Sequence, residues 1–269
     1  MSPIISTEAV VLRSIKFQES SRIVTFYTER FGRLTGIVKG ARRNPGKFGT
    51  SLQPMSQVSV VIYRKPGRDV QTVSQCDLAL SYRRIPLDLD AMAVGLQMVE
   101  LVTLVTHDEE ENRELYALLS GALRELDSAR GPGWMLLYYF QIRLAAILGF
   151  RPDFTHCAGC GRPSAENAPA GTMVRLDVER GGPLCRGCDT PGKRTVLVAG
   201  GDLRTLRELA AGTPGRPEEP GTGSGRDERN ERIEKFLFDY YAYHLPGFRR
   251  LRSGEVFRLV GERSTPGRR

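Results

Sequence analysis

The sequence predicts an α+β protein with an N-terminal five-stranded barrel, a helical domain and an inserted module built on four cysteines. Three observations predict this fold class: short β-rich segments in the first 80 residues, helical periodicity from residue 86, and two Cys-x-x-Cys pairs. We therefore divide the chain into a barrel domain at 1–80, a helical domain at 81–150 and 200–260, and a cysteine module at 151–199.

The first 80 residues are predicted to form strands because β-branched and aromatic residues alternate with turn signals there. The five predicted strands are Glu8–Phe17, Arg22–Glu29, Arg33–Ala41, Gln57–Lys65 and Val70–Tyr82. Five short strands are too few for a sandwich and are typical of a small closed barrel. The OB-fold is the five-stranded barrel that binds oligonucleotides, so we predict an OB-fold at the N-terminus.

Beyond Pro86 the apolar residues recur at helical spacing. A first helix is predicted through Leu89 to Thr103. The acidic run Asp108–Glu111 is predicted to open a second helix, where carboxylates suit the helix dipole. A third helix is predicted to start near Pro132 and to end at Gly149, so that three antiparallel helices form a small bundle.

The chain after the cysteine module contains a polar break and a last helix. Residues 212–227 are rich in Gly, Pro and Glu and contain no apolar residue, which predicts a flexible linker. An amphipathic helix is predicted at about 228–244, with an aromatic stripe that includes Phe236, Tyr240 and Tyr241. We expect this stripe to be core that packs on the helices of 86–149.

Two Cys-x-x-Cys pairs, Cys157 with Cys160 and Cys185 with Cys188, are separated by 24 residues. Two residues between thiols suit a tight turn whose sulfurs converge, and two such turns supply the four thiolates of a closed tetrahedral zinc site. A redox pair would need a βαβ context, and disulfides would need an oxidising compartment. We predict one structural Zn²⁺ per chain and treat His156 as a neighbour of the site.

Positive charge is concentrated at the N-terminus: the chain carries a net charge of +8, and residues 1–80 hold 12 Lys and Arg against 5 Asp and Glu. Such a concentration indicates a polyanionic partner, most commonly nucleic acid, although charge alone leaves an anionic membrane open. Cations on an exposed strand also prevent edge-to-edge pairing, which is the alternative interpretation. The predicted DNA contacts are Arg13, Lys16, Arg22, Arg33, Lys39, Arg42, Arg43 and Lys47.

The strongest part of this prediction is the third strand with the loop that follows it. Period-two alternation places Arg33 and Lys39 on one face of the strand. The cations of this stretch would follow a phosphate backbone, and nearby aromatic residues would stack bases. Those aromatic residues are Phe17, Phe26, Tyr27 and Phe48.

Motifs for catalysis and for membranes are missing from the sequence. Residues 40–47 resemble a phosphate-binding loop but have one residue too many between the glycines, and Phe48 replaces the hydroxyl residue that would hold magnesium. The three histidines lie beside no evident nucleophile. We therefore expect a protein that is not an enzyme. Without an apolar run of about 18 residues or a signal peptide, we expect a cytoplasmic protein with no membrane partner.

The run EAVVLRSIKFQESSRIVTFYTERFGRLTGIVKGARR resembles the start of the bacterial RecO DNA-repair proteins. Glu19-Ser20-Ser21 before the second strand and Gly32-Arg33 leading to Lys39-Gly40-Ala41-Arg42 carry the resemblance, together with the order of barrel, helices, cysteine module and last helices.

This resemblance implies a recombination mediator in the cytoplasm, associated with the nucleoid, that binds single- and double-stranded DNA and anneals complementary strands. It implies RecR and the acidic tail of single-stranded DNA-binding protein (SSB) as partners, so that RecA is loaded. Arg33, Lys39, Arg42 and Arg43 inherit a DNA-binding role, and the four cysteines fall on the family's zinc module. The alternative is a transcription or RNA-binding factor built from an OB-fold and a zinc ribbon.

Overall fold

The computed structural model describes residues 3–43, 48–128, 133–164, 172–212 and 225–254. The chain divides into two compact units, one formed by Met1–Gly133 with Leu251–Arg269 and the other by Trp134–Arg250. The domain division drawn from the sequence stays a prediction. Among the described helices, none is both long enough and apolar enough to cross a bilayer.

Five strands open the first unit and close into a barrel in the order β1-β2-β3-β5-β4. β1 is shared by two partners, since it pairs with β4 through its first half and with β2 through its second half. A register shift between Val11 and Arg13 marks the bulge that bends β1 between them. Only β3 and β5 pair in parallel, which completes the predicted OB-fold. The strands are β1 Ile4–Phe17, β2 Ser21–Thr28, β3 Gly32–Val38, β4 Gln57–Tyr63 and β5 Val70–Leu80.

The barrel interior is filled by alternate side chains from each strand, as the period-two pattern requires. In β3, Leu34, Gly36 and Val38 are buried, whereas the residues that alternate with them are partly exposed. The segment after β3 returns Phe48 and Leu52 to the same core, where they join Cys76 of β5. The barrel core is therefore built from all five strands and the segment that follows β3.

The first unit continues with a short 3₁₀ turn, Ile85–Leu87, and two helices, α1 Leu89–Val105 and α2 Arg113–Ser128. Asp88 caps α1 by accepting hydrogen bonds from the backbone N–H groups of Asp90 and Ala91. At the far end of α2, the Asp127 carboxylate accepts from the N–H groups of three consecutive residues that lead into the 3₁₀ turn, Arg83, Arg84 and Ile85. These half-buried and exposed hydrogen bonds tie the end of α2 to the segment that leads into α1.

The predicted start of α2 is wrong by one turn. The helix begins at Arg113, and the Oδ1 atom of Asn112 accepts from the N–H of Leu115 at 2.9 Å. The acidic run Asp108–Glu111 lies before this cap and therefore does not form the first turn of the helix. It forms a loop that contacts the barrel, as shown below.

The second unit contains α3 Gly133–Ile147, a three-stranded sheet, α4 Gly200–Ala210 and α5 Gly225–His244. The sheet has the order β7-β6-β8 and consists of β6 Met173–Asp177, β7 Gly182–Pro183 and β8 Thr195–Ala199. The predicted linker at 212–227 lies mostly outside the described residues, and α5 begins three residues earlier than expected.

The aromatic stripe of α5 is buried, as predicted. Tyr240 and Tyr241 pack edge-to-face on Phe150, and Phe236 packs on Phe154. The Tyr241 hydroxyl donates to the backbone carbonyl of Gln141 on α3 at 2.7 Å, so its polar end is satisfied inside the unit. The stripe is therefore core and is not a surface for base stacking.

Candidate metal centre and nucleic-acid interface

The four cysteines predicted to hold a metal converge on one point. Their sulfur atoms all lie within 4.8 Å of one another, so this group can hold a metal ion. Cys157 is buried and Cys188 is half-buried, whereas Cys160 and Cys185 are exposed. Among the described residues the group consists of four sulfur donors, a closed set that matches a structural metal site and not a catalytic one.

Each Cys-x-x-Cys pair forms a tight turn that aims both sulfurs inward. In the first turn the N–H of Cys157 donates to the carbonyl of Arg162 at 2.8 Å, and that of Gly161 donates to the carbonyl of Cys157 at 2.9 Å. In the second, the N–H of Cys188 donates to the carbonyl of Cys185 at 2.9 Å. A Cβ atom at Gly159 would lie 2.6 Å from the Cβ of Cys188, so only glycine allows the turns to meet.

The sulfur environment favours at least one thiolate. Burial raises the pKa of Cys157, but backbone N–H groups of Cys185, Cys160 and Gly159 outweigh burial and lower this pKa to about 6. By contrast, hydrogen bonds to Cys185 and Cys160 raise the pKa of Cys188 to about 12. Four clustered thiols therefore resist losing all their protons together, and a bound cation would supply the charge that permits it.

His156 is a neighbour of the cysteines and not a fifth donor. Its Nδ1 atom lies 2.8 Å from Oδ2 of Asp153, on an exposed loop, and it is not part of the sulfur cluster. Asp153 also accepts from the backbone N–H and the hydroxyl of Thr155. Although burial raises the pKa of Asp153, these bonds and His156 lower it to about 2. The hydrogen bonds of Asp153 therefore close the loop that leads into Cys157.

The barrel presents an apolar row flanked by cations on its outer face. Ile15 of β1 pairs with Ile23 of β2, which pairs with Ile37 of β3, and cross-strand partners share a face. Arg13 lies exposed one row to one side of them. Lys39, also exposed, follows the last residue of β3 on the other side. The row of isoleucines was missed in the sequence, because it depends on the register between the three strands, which the local sequence does not give.

The remaining predicted cations lie around one end of the barrel. Lys16 pairs with Arg22 on the opposite face of the strands from Arg13, and the Arg22 Nε donates to the Ser14 hydroxyl at 2.8 Å. Arg42 is exposed, and its guanidinium donates to the carbonyl of Gln18 at 3.1 Å. The structure also places Arg43 at the exposed end of the described loop, whereas Lys47 lies outside the described residues.

Most aromatic residues proposed to stack bases are unavailable. Phe26, Tyr27 and Phe48 are buried, and the Tyr27 hydroxyl donates to the carbonyl of Asn112 at 3.4 Å. Burial and nearby Glu110 raise the pKa of Tyr27 to about 12. The expectation that these three stack bases is therefore wrong. Phe17 differs, since 37% of its surface is exposed on β1 next to the loop cations.

Arg33 already has partners within the first unit. Its Nε donates to Asp108 at 2.6 Å and its terminal nitrogen to the carbonyl of Thr103 at 3.1 Å, so it binds the end of α1 and the acidic loop. Arg64, which the sequence did not single out, pairs with Glu109 of that loop at 2.8 Å. The acidic loop thus neutralises two barrel arginines. Whether Arg33 also contacts DNA stays a prediction.

Arg33→Gln is expected to lower the free energy of unfolding by about 1–2 kcal/mol, since it removes a partly exposed ion pair and a hydrogen bond to a helix carbonyl. Its effect on DNA affinity should be smaller than that of Lys39→Gln, because the Arg33 guanidinium is paired. Urea denaturation and fluorescence anisotropy with a labelled oligonucleotide measure the two effects. Asp108→Asn, combined with Arg33→Gln in a double-mutant cycle, isolates the pair. A larger affinity loss for Arg33→Gln than for Lys39→Gln would contradict this.

Gly32→Ala is expected to destabilise the first unit by more than about 2 kcal/mol. Gly32 has a φ of +63°, and a Cβ atom there would lie 2.0 Å from the carbonyl oxygen of Glu110. The matched control is Gly67→Ala, where φ is +75° but nothing lies within 4 Å. The control should cost only the left-handed backbone strain, about 1 kcal/mol. Equal costs in urea denaturation would show that the acidic loop adds nothing at this position.

Comparison with known proteins covers nearly the whole chain. Residues 1–82 match the family described as Recombination protein O N terminal, and residues 86–253 match Recombination protein O C terminal. The DNA repair protein RecO of Myxococcus xanthus is 33% identical over 256 residues, which cover 94% of this chain and 97% of that protein. The DNA repair protein RecO of Anaeromyxobacter dehalogenans is 30% identical over 94% of this chain and 96% of its own length.

Matches of higher identity are shorter. The DNA repair protein RecO of Salinibacter ruber is 42% identical over 149 residues, 55% of this chain and 57% of that protein. The matches to both family models and to full-length relatives confirm the resemblance seen in the N-terminal run. The chain belongs to the recombination protein O family.

Proposed function

We propose that this chain is a DNA-repair protein that binds DNA through its barrel, without catalysing a reaction of its own. The observation that carries the proposal is the outer barrel face, where a partly exposed apolar row lies between Arg13 and Lys39. Cations neutralise phosphates and set the affinity, while an apolar surface with exposed Phe17 suits unstacked bases. The relatives named DNA repair protein RecO support the same class of partner.

A mediator role is chemically reasonable for such a surface. A protein that neutralises phosphates on two strands reduces their mutual repulsion, and base pairing then drives the strands together without ATP. We propose that the chain binds single- and double-stranded DNA and anneals complementary strands. We further propose that it acts with RecR and the acidic tail of SSB to load RecA. The resemblance to the family is the support for these partners.

We propose zinc as the metal of the four-cysteine site, in a structural role and with one ion per chain. Thiolate is a soft ligand that suits zinc, and four thiolates fit its tetrahedral preference. Cys157, Cys160, Cys185 and Cys188 would hold the ion. The bound ion would supply folding stability, because it would join the two turns that carry the cysteines, and the unfolded chain has no preformed site for it.

The test of the proposed function is a strand-annealing assay without nucleotide. Two complementary oligonucleotides, one carrying a fluorophore and the other a quencher, are mixed with and without the full chain. We expect annealing to be faster with the protein and to slow as salt rises, because phosphate contacts are lost to counterions. Unchanged annealing together with no binding of either DNA form would refute the proposal. Capture of purified RecR and SSB on the immobilised chain tests the partners separately.

A further inference from the structure

The two turns that carry the four cysteines, and the segment between the second turn and β8, hold a group of cations that the metal does not explain. Arg186 lies inside the second turn, between Cys185 and Cys188. Arg162 lies at the end of the first turn, where its carbonyl accepts a hydrogen bond from the N–H of Cys157 at 2.8 Å. Arg194 follows Lys193, whose Nζ donates to the carbonyl of Cys188 at 2.8 Å. These side chains are all exposed.

Some of these cations compensate the negative charge of the metal site, and the others do not. Four thiolates and Zn²⁺ together carry two negative charges. Lys193 and Arg180 bind backbone carbonyls of the two turns, the latter at Ala158 at 2.8 Å, and offset those two charges. Asp189 is already paired with Arg175 at 2.9 Å. The metal site therefore does not require the positive charges of Arg162, Arg186 and Arg194.

The three remaining arginines have no partner in the part of the chain that the structure describes. None of them forms a hydrogen bond through its guanidinium or an ion pair with a described residue. By contrast, the described carboxylates closest to them in sequence are engaged, as Asp189 is with Arg175 and Asp153 is with His156. The surface around the turns therefore carries surplus positive charge even when the metal site is fully ionised.

The surface fits a phosphate backbone better than an acidic peptide. Residues 157–162 and 185–194 expose no large apolar side chain, so an acidic peptide would find no pocket for the apolar anchors that give peptides affinity. The turns expose small residues, which allow close approach to a flat partner, and guanidinium groups bind phosphate with two parallel hydrogen bonds.

We infer that Arg162, Arg186 and Arg194 form a second nucleic-acid contact, which belongs to the cysteine module and not to the barrel. The inference rests on the proposed function, since it assigns a further surface for the same class of partner. It gives the second compact unit a contact of its own, so that one chain has two phosphate-binding surfaces. The metal holds the backbone of the turns, and the arginines on and after those turns contact the nucleic-acid strand.

The test compares two variants of the full chain with equal loss of charge. Arg162→Ala with Arg186→Ala removes two arginines of the proposed contact. The control, Arg204→Ala with Arg249→Ala, removes two exposed arginines of the same unit that lie outside the cysteine module. Binding of a labelled single strand is measured by anisotropy at several salt concentrations. Zinc content and thermal unfolding must match the wild type for both variants.

We expect the test variant to bind at least tenfold more weakly at about 0.1 M salt, with a log–log salt slope smaller by about 1.4, and the control to stay near the wild type. Equal behaviour of the two variants would overturn the inference. So would loss of binding to polyglutamate with no change toward DNA, which would indicate an acidic protein partner. The barrel variant Lys39→Glu with Arg43→Glu decides the proposed function independently, because its loss of binding does not depend on the cysteine module.

Discussion

Cys185→Ser is expected to reduce bound zinc from about one ion per chain to near zero and to destabilise the second unit by about 3 kcal/mol or more. Metal binding contributes about 10–16 kcal/mol in isolated zinc-finger peptides. The second unit has its own aromatic core around Phe150 and Tyr241, so it should lose less than such a peptide. Elemental analysis and chemical denaturation followed by near-ultraviolet circular dichroism measure the two effects.

The matched control for this change is Cys76→Ala. Cys76 is buried in the barrel core, and burial raises its pKa to about 11, so it is a neutral thiol that has no part in metal binding. Its loss should cost roughly 1 kcal/mol in the first unit and leave the zinc content unchanged. If Cys185→Ser retained a full equivalent of zinc and the wild-type denaturation curve, the assignment of the four cysteines as the metal site would be wrong.

Acid should release the metal from the wild-type protein in the same assay. Each thiol must lose its proton to bind, so protons compete with zinc as the pH falls. Cys157 resists protonation longest, because backbone N–H groups lower its pKa to about 6. The pKa of Cys188 is raised in the absence of a cation, so its proton is the one that competes most strongly.

The barrel and the cysteine cluster were predictable because their signals are local. Alternation of apolar residues and turn signals defined five strands whose ends differ from the observed ones by at most four residues, the largest difference being the start of β1 at Ile4. Two residues between cysteines define a turn, and two such turns can share one metal wherever the chain brings them together. Each strand and each turn is defined by its own residues. Distant segments matter only for the pairing of the strands and for the meeting of the two turns.

The partners of the charged residues were not predictable, because they depend on which segments meet. Asp108 precedes a helix, and the dipole argument favoured it as the first turn. The structure instead brings it to Arg33, 75 residues earlier, through an ion pair and a backbone bond from Glu109 to the Arg33 carbonyl at 3.0 Å. A charged side chain on the outer face of a strand can bind either DNA or a neighbouring loop, and the local sequence does not distinguish these two partners. Tyr27 was misjudged for the same reason.

Charge reversal at the barrel, Lys39→Glu with Arg43→Glu, is expected to weaken binding of single-stranded DNA by at least about 100-fold at 0.1 M salt. Each contact contributes about 0.7 to the log–log salt slope for a single strand, so removal of two should reduce that slope by about 1.4. Reversal also adds repulsion, which makes the loss of affinity larger than the loss of slope implies. Both residues are exposed, and no described residue forms an ion pair with either side chain, so the fold should not change.

The choice of these two residues separates DNA binding from the structure of the loop. Arg42 is kept, because its guanidinium binds the carbonyl of Gln18 and its N–H donates to that of Ser20, which hold the loop against the β1–β2 turn. The control, Arg83→Glu with Arg113→Glu, makes the same change of net charge on the same unit, and the exposed pair of Arg113 with Glu111 contributes little stability. Binding depends on the barrel face and not on total charge only if the control keeps most of the wild-type affinity. Equal losses of affinity in the two variants would show that DNA binding depends on net charge alone, and the barrel face would then not be the binding surface.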